Sequence, residues 1–156
     1  MPTRSPRRAP SFNYLGPYRY SLTLCAADRR PHFTDPAIVW CLHAQILRSS
    51  AVEWFAVLAY CYMPDHLHLL VEGVTQDALL PRFVVRFRQT TGHVFARRGI
   101  PLWQPGYFDH VLRKEEATEV VARYIWNNPV RAGLVEQPQQ YAFSGGTLFG
   151  RYFARG

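Results

Sequence analysis

Lysine is nearly absent from this chain of 156 residues, because Lys114 is the only lysine among its 18 basic residues. No run of apolar residues approaches the roughly 20 that a transmembrane helix needs, which excludes that class of protein. The three cysteines, Cys25, Cys41 and Cys61, show no CxxC spacing. We therefore expect neither a disulfide framework nor a zinc knuckle, and we interpret the cysteines as buried free thiols in a reducing compartment.

The basic, proline-rich stretch 1-MPTRSPRRAP-10 is not followed by an apolar segment, so we do not expect it to be a secretory signal. We therefore expect a cytoplasmic protein. Residues 1–11 are interpreted as a flexible basic arm, with arginines at positions 4, 7 and 8 that could contact an anionic partner. Residues 12–145 are expected to form a single domain, and residues 146–156 a C-terminal tail.

Arginine and apolar side chains are what the chain does contain. Its residues are 48% hydrophobic and 15% aromatic, which is enough for a core and argues against disorder. The formal net charge of +7 predicts an anionic partner, and guanidinium groups suit phosphate oxygens and stacked bases. Coding bias toward arginine gives the same composition, so the location of the arginines has to decide whether they bind an anionic partner.

The periodicity of the sequence predicts a β-α-β-β-α-β-α order of elements. Alternating residues predict strands at 18–25, 54–63, 66–72 and 107–113. Capping and charge signals predict helices at about 36–48, 80–98 and 115–127. The segment from Pro138 is interpreted as a loop. This order is the split βαβ pattern of an α+β, ferredoxin-like sandwich, with an antiparallel sheet of four to five strands, two packing helices and a C-terminal helix.

Two histidines, His66 and His68, flank Leu67 in the third predicted strand. Residues two apart on a strand point to the same face, so the two imidazoles project side by side. Such a pair can bind one metal ion or bracket one phosphate, although a metal site needs a third ligand. The alternative is that both are satisfied polar residues on an exposed sheet face, and the spacing alone favours this alternative.

The last predicted helix offers a candidate third ligand. Tyr124 and Asn128 are four residues apart and lie on one face of a helix, as a metal-assisted nucleophilic site requires. The alternative is that Tyr124 belongs to an ordinary core stripe and that Asn128 starts a turn before Pro129. Because a residue before proline avoids helical geometry, Asn127 is a second candidate ligand. From spacing alone, the core interpretation is favoured.

Three segments together identify a family: 63-MPDHLHLLV-71, 103-WQPGYFDHVLR-113 and 124-YIWNNPVRAGLV-135. In this order and at these separations they resemble the REP-associated tyrosine transposases, relatives of the single-tyrosine insertion-sequence transposases in the HUH nuclease superfamily. The resemblance covers roughly residues 12–145. The His-hydrophobic-His pattern is weak by itself, but its combination with Tyr-x-x-x-Asn-Pro-Val-Arg-Ala-Gly-Leu is highly specific.

This resemblance implies a set of functional residues and a reaction. His66 and His68 would be paired metal ligands, Tyr124 the catalytic nucleophile, and Asn128 the residue that completes the metal site. The implied activity is metal-dependent nicking and strand transfer of single-stranded DNA at hairpins or palindromes, through a covalent 5′-phosphotyrosine. The expected partner is therefore a single-stranded DNA hairpin, and a monomer is expected in preference to a homodimer.

The implied cofactor is a divalent metal ion. Imidazole and oxygen ligands favour Mg2+ or Mn2+, and Zn2+ suits the same donors. Asp65 and Glu72 lie near enough in sequence to orient a ligating imidazole. Alternatively, they are a turn residue and a solvated strand end.

A basic cluster near the two later helices is predicted to grip DNA, with Trp103, Tyr107 and Trp126 as stacking platforms. The alternative is a solvated basic helix face above core aromatics. Arginine around Arg86 or Arg88 replaces the lysine expected of the family in the central helix. The predicted DNA-binding residues are Arg82, Arg86, Arg88, Arg97, Arg98, Arg113, Lys114 and Arg123.

Two other functions are compatible with the sequence. A metallohydrolase would use the histidine pair to activate water without a covalent tyrosine. A catalytically inactive, transposase-derived protein would bind DNA hairpins without cutting them. Tyr124→Phe separates the nickase from the hydrolase, and His66→Ala would leave the binding of an inactive protein intact.

Overall fold

A single antiparallel sheet organises the molecule, for which a computed structural model describes residues 12–97, 99–113 and 116–153. Its strands are β1 (Arg19–Cys25), β2 (Phe55–Met63), β3 (His66–Gly73), β4 (Phe108–Val111) and β5 (Ser144–Gly145). They lie in the order β4-β1-β3-β2-β5, and neighbouring strands are antiparallel. The predicted basic arm (1–11), Arg98, Lys114 and Glu115 lie outside the described residues.

Helices connect and cover these strands. They are α1 (Pro36–Val52), α2 (Leu80–Ala96), α3 (Thr118–Trp126), α4 (Asn128–Arg131) and α5 (Phe149–Tyr152). The Asp35 carboxylate accepts a hydrogen bond from the Ala37 amide, which caps α1 as its sequence signal predicted. Among the described residues, no helix is long and apolar enough to cross a membrane. The predicted α+β, ferredoxin-like architecture is confirmed.

The two faces of the sheet are covered by different helices. Leu67, Leu69 and Val71 of β3 are buried in one core with α1 and α2. Leu70 of the same strand is buried in a second core with Ile125 of α3. Because side chains alternate along a strand, the residues at positions 66, 68 and 70 point to the face that α3 covers. We call this side of the sheet the α3 face.

The C-terminal segment closes the β2 edge of the sheet. The prediction of a loop from Pro138 onward is wrong for β5, which pairs with β2, and for α5, whose Phe149 lies 5.2 Å from the Trp126 ring. A two-residue strand and a one-turn helix contain too few residues to show a period in the sequence. Their aromatic side chains hold them in place by packing beside α3.

The prediction of three buried thiols is correct for one of the cysteines. Cys61 is buried, Cys25 is partly exposed, and Cys41 is exposed, although all three are free. α1 turns Val39 and Leu42 toward the core, which leaves Cys41 on its outer side. The difference arises because a helix with apolar residues on several sides does not reveal its inner face from composition alone.

Candidate active site

The histidine pair lies on the α3 face at one end of β3. The ring centroids of His66 and His68 are 4.8 Å apart, and the ring planes are nearly perpendicular at 86°. Both residues are partly buried, and the His66 side chain is only 20% exposed. The pair therefore sits in a partly covered site, and the interpretation of two polar residues on an exposed sheet face is wrong.

His66 is held by the carboxylate that precedes it. Its Nδ1 lies 2.6 Å from Asp65 Oδ1, and Arg29 Nε donates to Asp65 Oδ2 at 2.9 Å. Burial opposes the ionisation of Asp65, but these two hydrogen bonds outweigh it and hold the pKa of the carboxyl below its usual value. Glu72, the other candidate carboxylate, is six residues farther along β3, or roughly 20 Å away, where it pairs with Arg19.

His68 is held by a hydroxyl from the neighbouring strand. Thr23 of β1 is its direct cross-strand partner, and the Thr23 Oγ1 lies 3.1 Å from His68 Nδ1. Burial, with smaller effects from His66 and Arg131, lowers the pKa of His68 to about 4. The imidazole is therefore neutral at pH 7, the state in which histidine binds metals.

The two contacts leave the same atom of each ring available. With both Nδ1 atoms engaged, the Nε2 atoms of His66 and His68 are the ring nitrogens that have no hydrogen-bond partner among the described residues. Imidazoles whose second ring nitrogen is held by another group are typical of metal ligands. Sequence reasoning missed Thr23, because its position opposite His68 depends on strand register.

Tyr124 faces outward from α3. Its side chain is 62% exposed, whereas Ala122, Ile125 and Trp126 are the buried residues of the helix. The alternative that Tyr124 belongs to the core stripe is therefore wrong. Trp126 is fully buried and donates its indole N–H to the Gly145 carbonyl at 2.8 Å, so its predicted role as a stacking platform for bases is also wrong.

Asn128 begins the short helix α4 directly after α3. Its Nδ2 donates to the Ile125 carbonyl at 3.1 Å, and its Oδ1 accepts a hydrogen bond from Arg131 Nη2 at 2.9 Å. The amide of Asn127 instead donates to the Arg123 carbonyl of its own helix at 2.8 Å. The Asn128 oxygen retains a second lone pair, so its contact with Arg131 leaves one acceptor position for another ligand.

Arg131 joins the tyrosine to the asparagine, and the sequence analysis gave it no role. Its guanidinium carbon lies 3.9 Å from the centroid of the Tyr124 ring, and its Nη2 also donates to the Tyr124 carbonyl at 2.7 Å. Its charge contributes to the lowered pKa of His68 on β3. The spacing of three from Asn128 and seven from Tyr124 is the signal that could have found it.

A metal ion here would need ligands of mixed chemistry. Among the residues that the structure describes, no group of three or more His, Cys, Asp or Glu side chains could hold an ion. The histidine pair therefore needs an oxygen donor of another type, such as the Asn128 carboxamide. Two imidazoles and one amide oxygen fit a divalent cation with nitrogen and oxygen ligands.

Two of the predicted DNA-binding arginines lie on the opposite side of the sheet. Arg86 Nε donates to the buried carboxylate of Glu53 at 2.6 Å, and Arg82 Nε lies 4.0 Å from the same carboxylate. Both belong to α2, which covers the other face from the histidine pair. Part of their charge is therefore compensated within the protein.

Arg88 lies beside an open cavity of about 490 Å³, which is also lined by Gly92 and Trp103. Its Nη2 donates to the Gln104 carbonyl at 2.7 Å, and burial lowers the pKa of the guanidinium from its ordinary value. The Gln104 amide in turn donates to the Cys25 carbonyl, at the end of β1 that pairs with His66. The cavity is thus linked by backbone to the histidine end of the sheet.

Three of the remaining predicted DNA contacts are on the surface. Arg97 and Arg113 are exposed, and so is Arg123, whose guanidinium carbon lies 4.8 Å from the Tyr152 ring centroid. Arg113 is near the start of α3, and Arg123 is on that helix. Arg98 and Lys114 lie outside the described residues.

Comparison with known proteins gives matches to one group of transposases. The family described as "Transposase IS200 like" matches residues 16–128. A REP-associated tyrosine transposase of Escherichia coli (strain K12) is 32% identical over 146 residues, which cover 92% of this chain and 83% of that protein. A REP-associated tyrosine transposase solved bound to a REP hairpin has a similar structure, with a TM-score of 0.75, 22% identity, and coverage of 91% of this chain and 82% of the other.

Proposed function

Because the chain belongs to the IS200-like transposase family, and its resemblance to REP-associated tyrosine transposases is confirmed, we propose that it cuts and rejoins single-stranded DNA at hairpin elements. The observation that carries this proposal is the position of Tyr124. It is exposed on the helix that covers the histidine face of the sheet, and Arg131 links it to Asn128. A phenol in this position is accessible to a DNA phosphate.

The proposed reaction is a transesterification. The Tyr124 Oη attacks the scissile phosphorus, so that an Oη–P bond forms and the P–O3′ bond breaks. The phenolic proton passes to solvent and the departing 3′ oxygen takes up a proton, which gives a 5′-phosphotyrosine and a free 3′-hydroxyl. No water is consumed, so attack by a second 3′-hydroxyl reverses the step and joins two strands.

The family implies a divalent metal ion, and the donor set described above fits one. We propose that His66 and His68 hold it through their Nε2 atoms and that Asn128 supplies the third ligand, with Asn127 as the less favoured candidate. Mg2+ or Mn2+ is the proposed ion, and Zn2+ suits the same donors. When bound, such an ion polarises the phosphoryl oxygen and stabilises the departing alkoxide. Asp65 and Thr23 orient the two imidazoles.

The proposed DNA surface follows the arginines that remain available. Arg113 and Arg123 are exposed near and on α3, and Arg88 lies beside Trp103 at the open cavity, where single-stranded bases have room to stack. Arg97 remains part of this proposal, and so do Arg98 and Lys114, which lie outside the described residues. Arg82 and Arg86 are weaker candidates, because Glu53 compensates part of their charge.

We also propose that the protein acts as a monomer. In one chain, α3 covers the same sheet face to which the histidines point, and the charge of Arg131 acts on His68. The nucleophile and the proposed ligands therefore need no second chain to lie on the same side of the sheet. A homodimer that exchanged α3 between chains would have to remove this helix from its own core.

The decisive experiment is a test for a covalent protein–DNA adduct. A labelled hairpin oligonucleotide with single-stranded flanks is incubated with the protein and Mg2+ or Mn2+, and the products are separated under denaturing conditions. We expect an adduct with the wild-type protein and its loss, by at least about a thousandfold in rate, in Tyr124→Phe, because phenylalanine has no nucleophilic oxygen.

The matched control is Tyr18→Phe, which removes a hydroxyl from another exposed tyrosine. This variant should form the adduct at the wild-type rate. If the protein cuts the DNA without forming an adduct, and Tyr124→Phe still cuts it, the result would support a metallohydrolase. Hairpin binding with no cutting in any metal would support the transposase-derived binding protein. An adduct still formed by Tyr124→Phe would remove this tyrosine as the nucleophile.

A further inference from the structure

We propose that Arg131 binds the scissile phosphate and, by stacking on Tyr124, holds that phosphate next to the attacking phenol. This inference rests on the proposed function and adds to it a phosphate-binding and positioning residue. Arg131 makes three contacts at the end of α3. Together these contacts fix the guanidinium in one place.

The guanidinium of Arg131 is held rigidly. One face of it stacks on the Tyr124 ring with a carbon-to-centroid distance of 3.9 Å. Its Nη2 donates to the Tyr124 carbonyl at 2.7 Å and to Asn128 Oδ1 at 2.9 Å. α4 follows α3 after Asn127, and its Pro129 is buried. A flexible arginine side chain is thus held before any ligand binds.

Two nitrogens of the Arg131 guanidinium remain as hydrogen-bond donors. The recorded hydrogen bonds use the Nη2 of Arg131, which leaves Nε and Nη1 available. These two nitrogens point to different sides of the planar guanidinium, and the N–H of either one can donate a charge-assisted hydrogen bond to a phosphate oxygen. Because the residue is exposed, a DNA strand can approach it from solvent.

Arg131 lies on the same side of the sheet as the histidine pair. It donates to the carbonyl of Tyr124 on α3, and Ile125 of that helix is buried in one core with Leu70 on the α3 face. A phosphate bound to Arg131 would therefore lie beside Tyr124, on the side of the sheet to which the two imidazoles point.

A purely structural role is the main competing explanation. In that case Arg131 would only join α3 to α4, through Tyr124 and Asn128. Such a residue stabilises the end of the helix but does not distinguish a charged phosphate from a neutral one. A measurement that depends on the charge of a single phosphate therefore separates the two roles.

The experiment replaces each phosphate in the single-stranded flank of the hairpin, one at a time, with a neutral methylphosphonate. The affinity for each oligonucleotide is measured in excess chelator, so that no cutting occurs. Four proteins are compared: wild type, Arg131→Gln, Arg131→Lys and Arg48→Gln. Arg48 is the matched control, since it is an exposed arginine of α1 on the other face of the sheet.

We expect one replacement to weaken wild-type binding by about tenfold or more, because a charge-assisted hydrogen bond is lost. The same replacement should weaken Arg131→Gln by less than about twofold. Arg131→Lys should lie between these values, because lysine keeps the charge but not the planar group that stacks on Tyr124. Arg48→Gln should behave as wild type. Thermal unfolding of each variant checks that it is folded.

Equal sensitivity of wild type and Arg131→Gln at every position would overturn the inference, and so would a uniform loss of affinity for all the oligonucleotides. The sensitive phosphate should also be the one that wild type cuts in Mg2+ or Mn2+; a different position would contradict the role beside Tyr124. If Arg131→Gln loses the sensitivity but wild type forms no adduct, the proposed chemistry fails while the phosphate site stands. If the adduct forms and the sensitivity persists, the reverse holds.

Discussion

At the scale of single residues, the two imidazoles are oriented by different neighbours. His66 is held by Asp65, its predecessor in the chain, whereas His68 is held by Thr23 from another strand. Both contacts engage Nδ1 and so leave Nε2 as the other nitrogen of each ring. The carboxylate was a candidate from the sequence because it adjoins the histidine. The threonine was not, because 45 residues separate it from His68.

Replacing the Thr23 hydroxyl should weaken metal binding. Thr23→Val keeps the shape of the side chain but removes the contact with His68, so the ring loses its fixed tautomer and orientation. We expect the affinity for Mn2+ to fall by about 10- to 100-fold. Isothermal titration calorimetry, or the electron paramagnetic resonance signal of free Mn2+, measures this without DNA.

Thr23→Ser is the control for this prediction, since it keeps a hydroxyl at the same position on β1. It should retain affinity within a few-fold of wild type. If Thr23→Val is folded and binds Mn2+ as tightly as wild type, the hydroxyl does not orient a ligand. Burial, which is the principal cause of the lowered pKa of His68, would still keep the ring neutral in that case.

At the scale of elements, the closure of the sheet by β5 depends on one glycine. Gly146 has a φ of +124°, and a Cβ added there would lie 2.3 Å from the Leu58 carbonyl oxygen. The backbone passes this close so that the amides of Thr147 and Leu148 can bond to the carbonyls of β2. The same closure places Gly145 where its carbonyl accepts the Trp126 indole N–H of α3.

Gly146→Ala should therefore destabilise the protein. The strained φ alone costs roughly 1–3 kcal/mol, and the contact with backbone adds to it. Urea unfolding measures the loss as a lower transition midpoint. Gly150→Ala is the control, because Gly150 lies in α5 with nothing within 4 Å of an added Cβ, and it should be neutral or slightly stabilising. Equal stability of Gly146→Ala and wild type would contradict this account of β5.

At the scale of the whole molecule, the net charge of +7 is distributed over surfaces with different roles. Arg82 and Arg86 approach the buried Glu53 on the α2 side of the sheet. Arg113 and Arg123 are exposed near and on α3, the helix that carries Tyr124. The sequence predicted all four as DNA contacts, because a linear pattern of charge does not show which side of a sheet a helix covers.

The salt dependence of hairpin binding should separate these two groups. Each phosphate contact adds about 0.7 to the slope of log affinity against log salt for a single strand. Arg113→Gln and Arg123→Gln should each reduce the slope by about that amount, whereas Arg82→Gln and Arg86→Gln should change it less. Gel-shift titrations over a salt range of roughly 50 to 300 mM measure these slopes. A larger change from the α2 pair would place the DNA on the other side of the molecule.

Much of the fold could be predicted because its signals are local. Each signal lies within a short stretch of sequence: the alternation of β1 and β3, the cap at Asp35, and the apolar spacing of α2. β5 and α5 could not be predicted in this way, since their residues are ordered by contacts with β2 and Trp126 rather than by their own period. Exposure was also undetermined, as Cys41 and Tyr124 show.

The sequence by itself determined the order of the elements from β1 to α3 and the shared face of His66 and His68, whereas Asn128 begins a separate helix from the one that carries Tyr124. These follow from the periods of strand and helix, which act over neighbouring residues. Only the tertiary structure decided that Thr23 meets His68, that α3 covers the histidine face, and that Arg131 stands between Tyr124 and Asn128. Strand register and helix docking are set by burial of apolar surface summed over the whole chain, and no local pattern contains that sum.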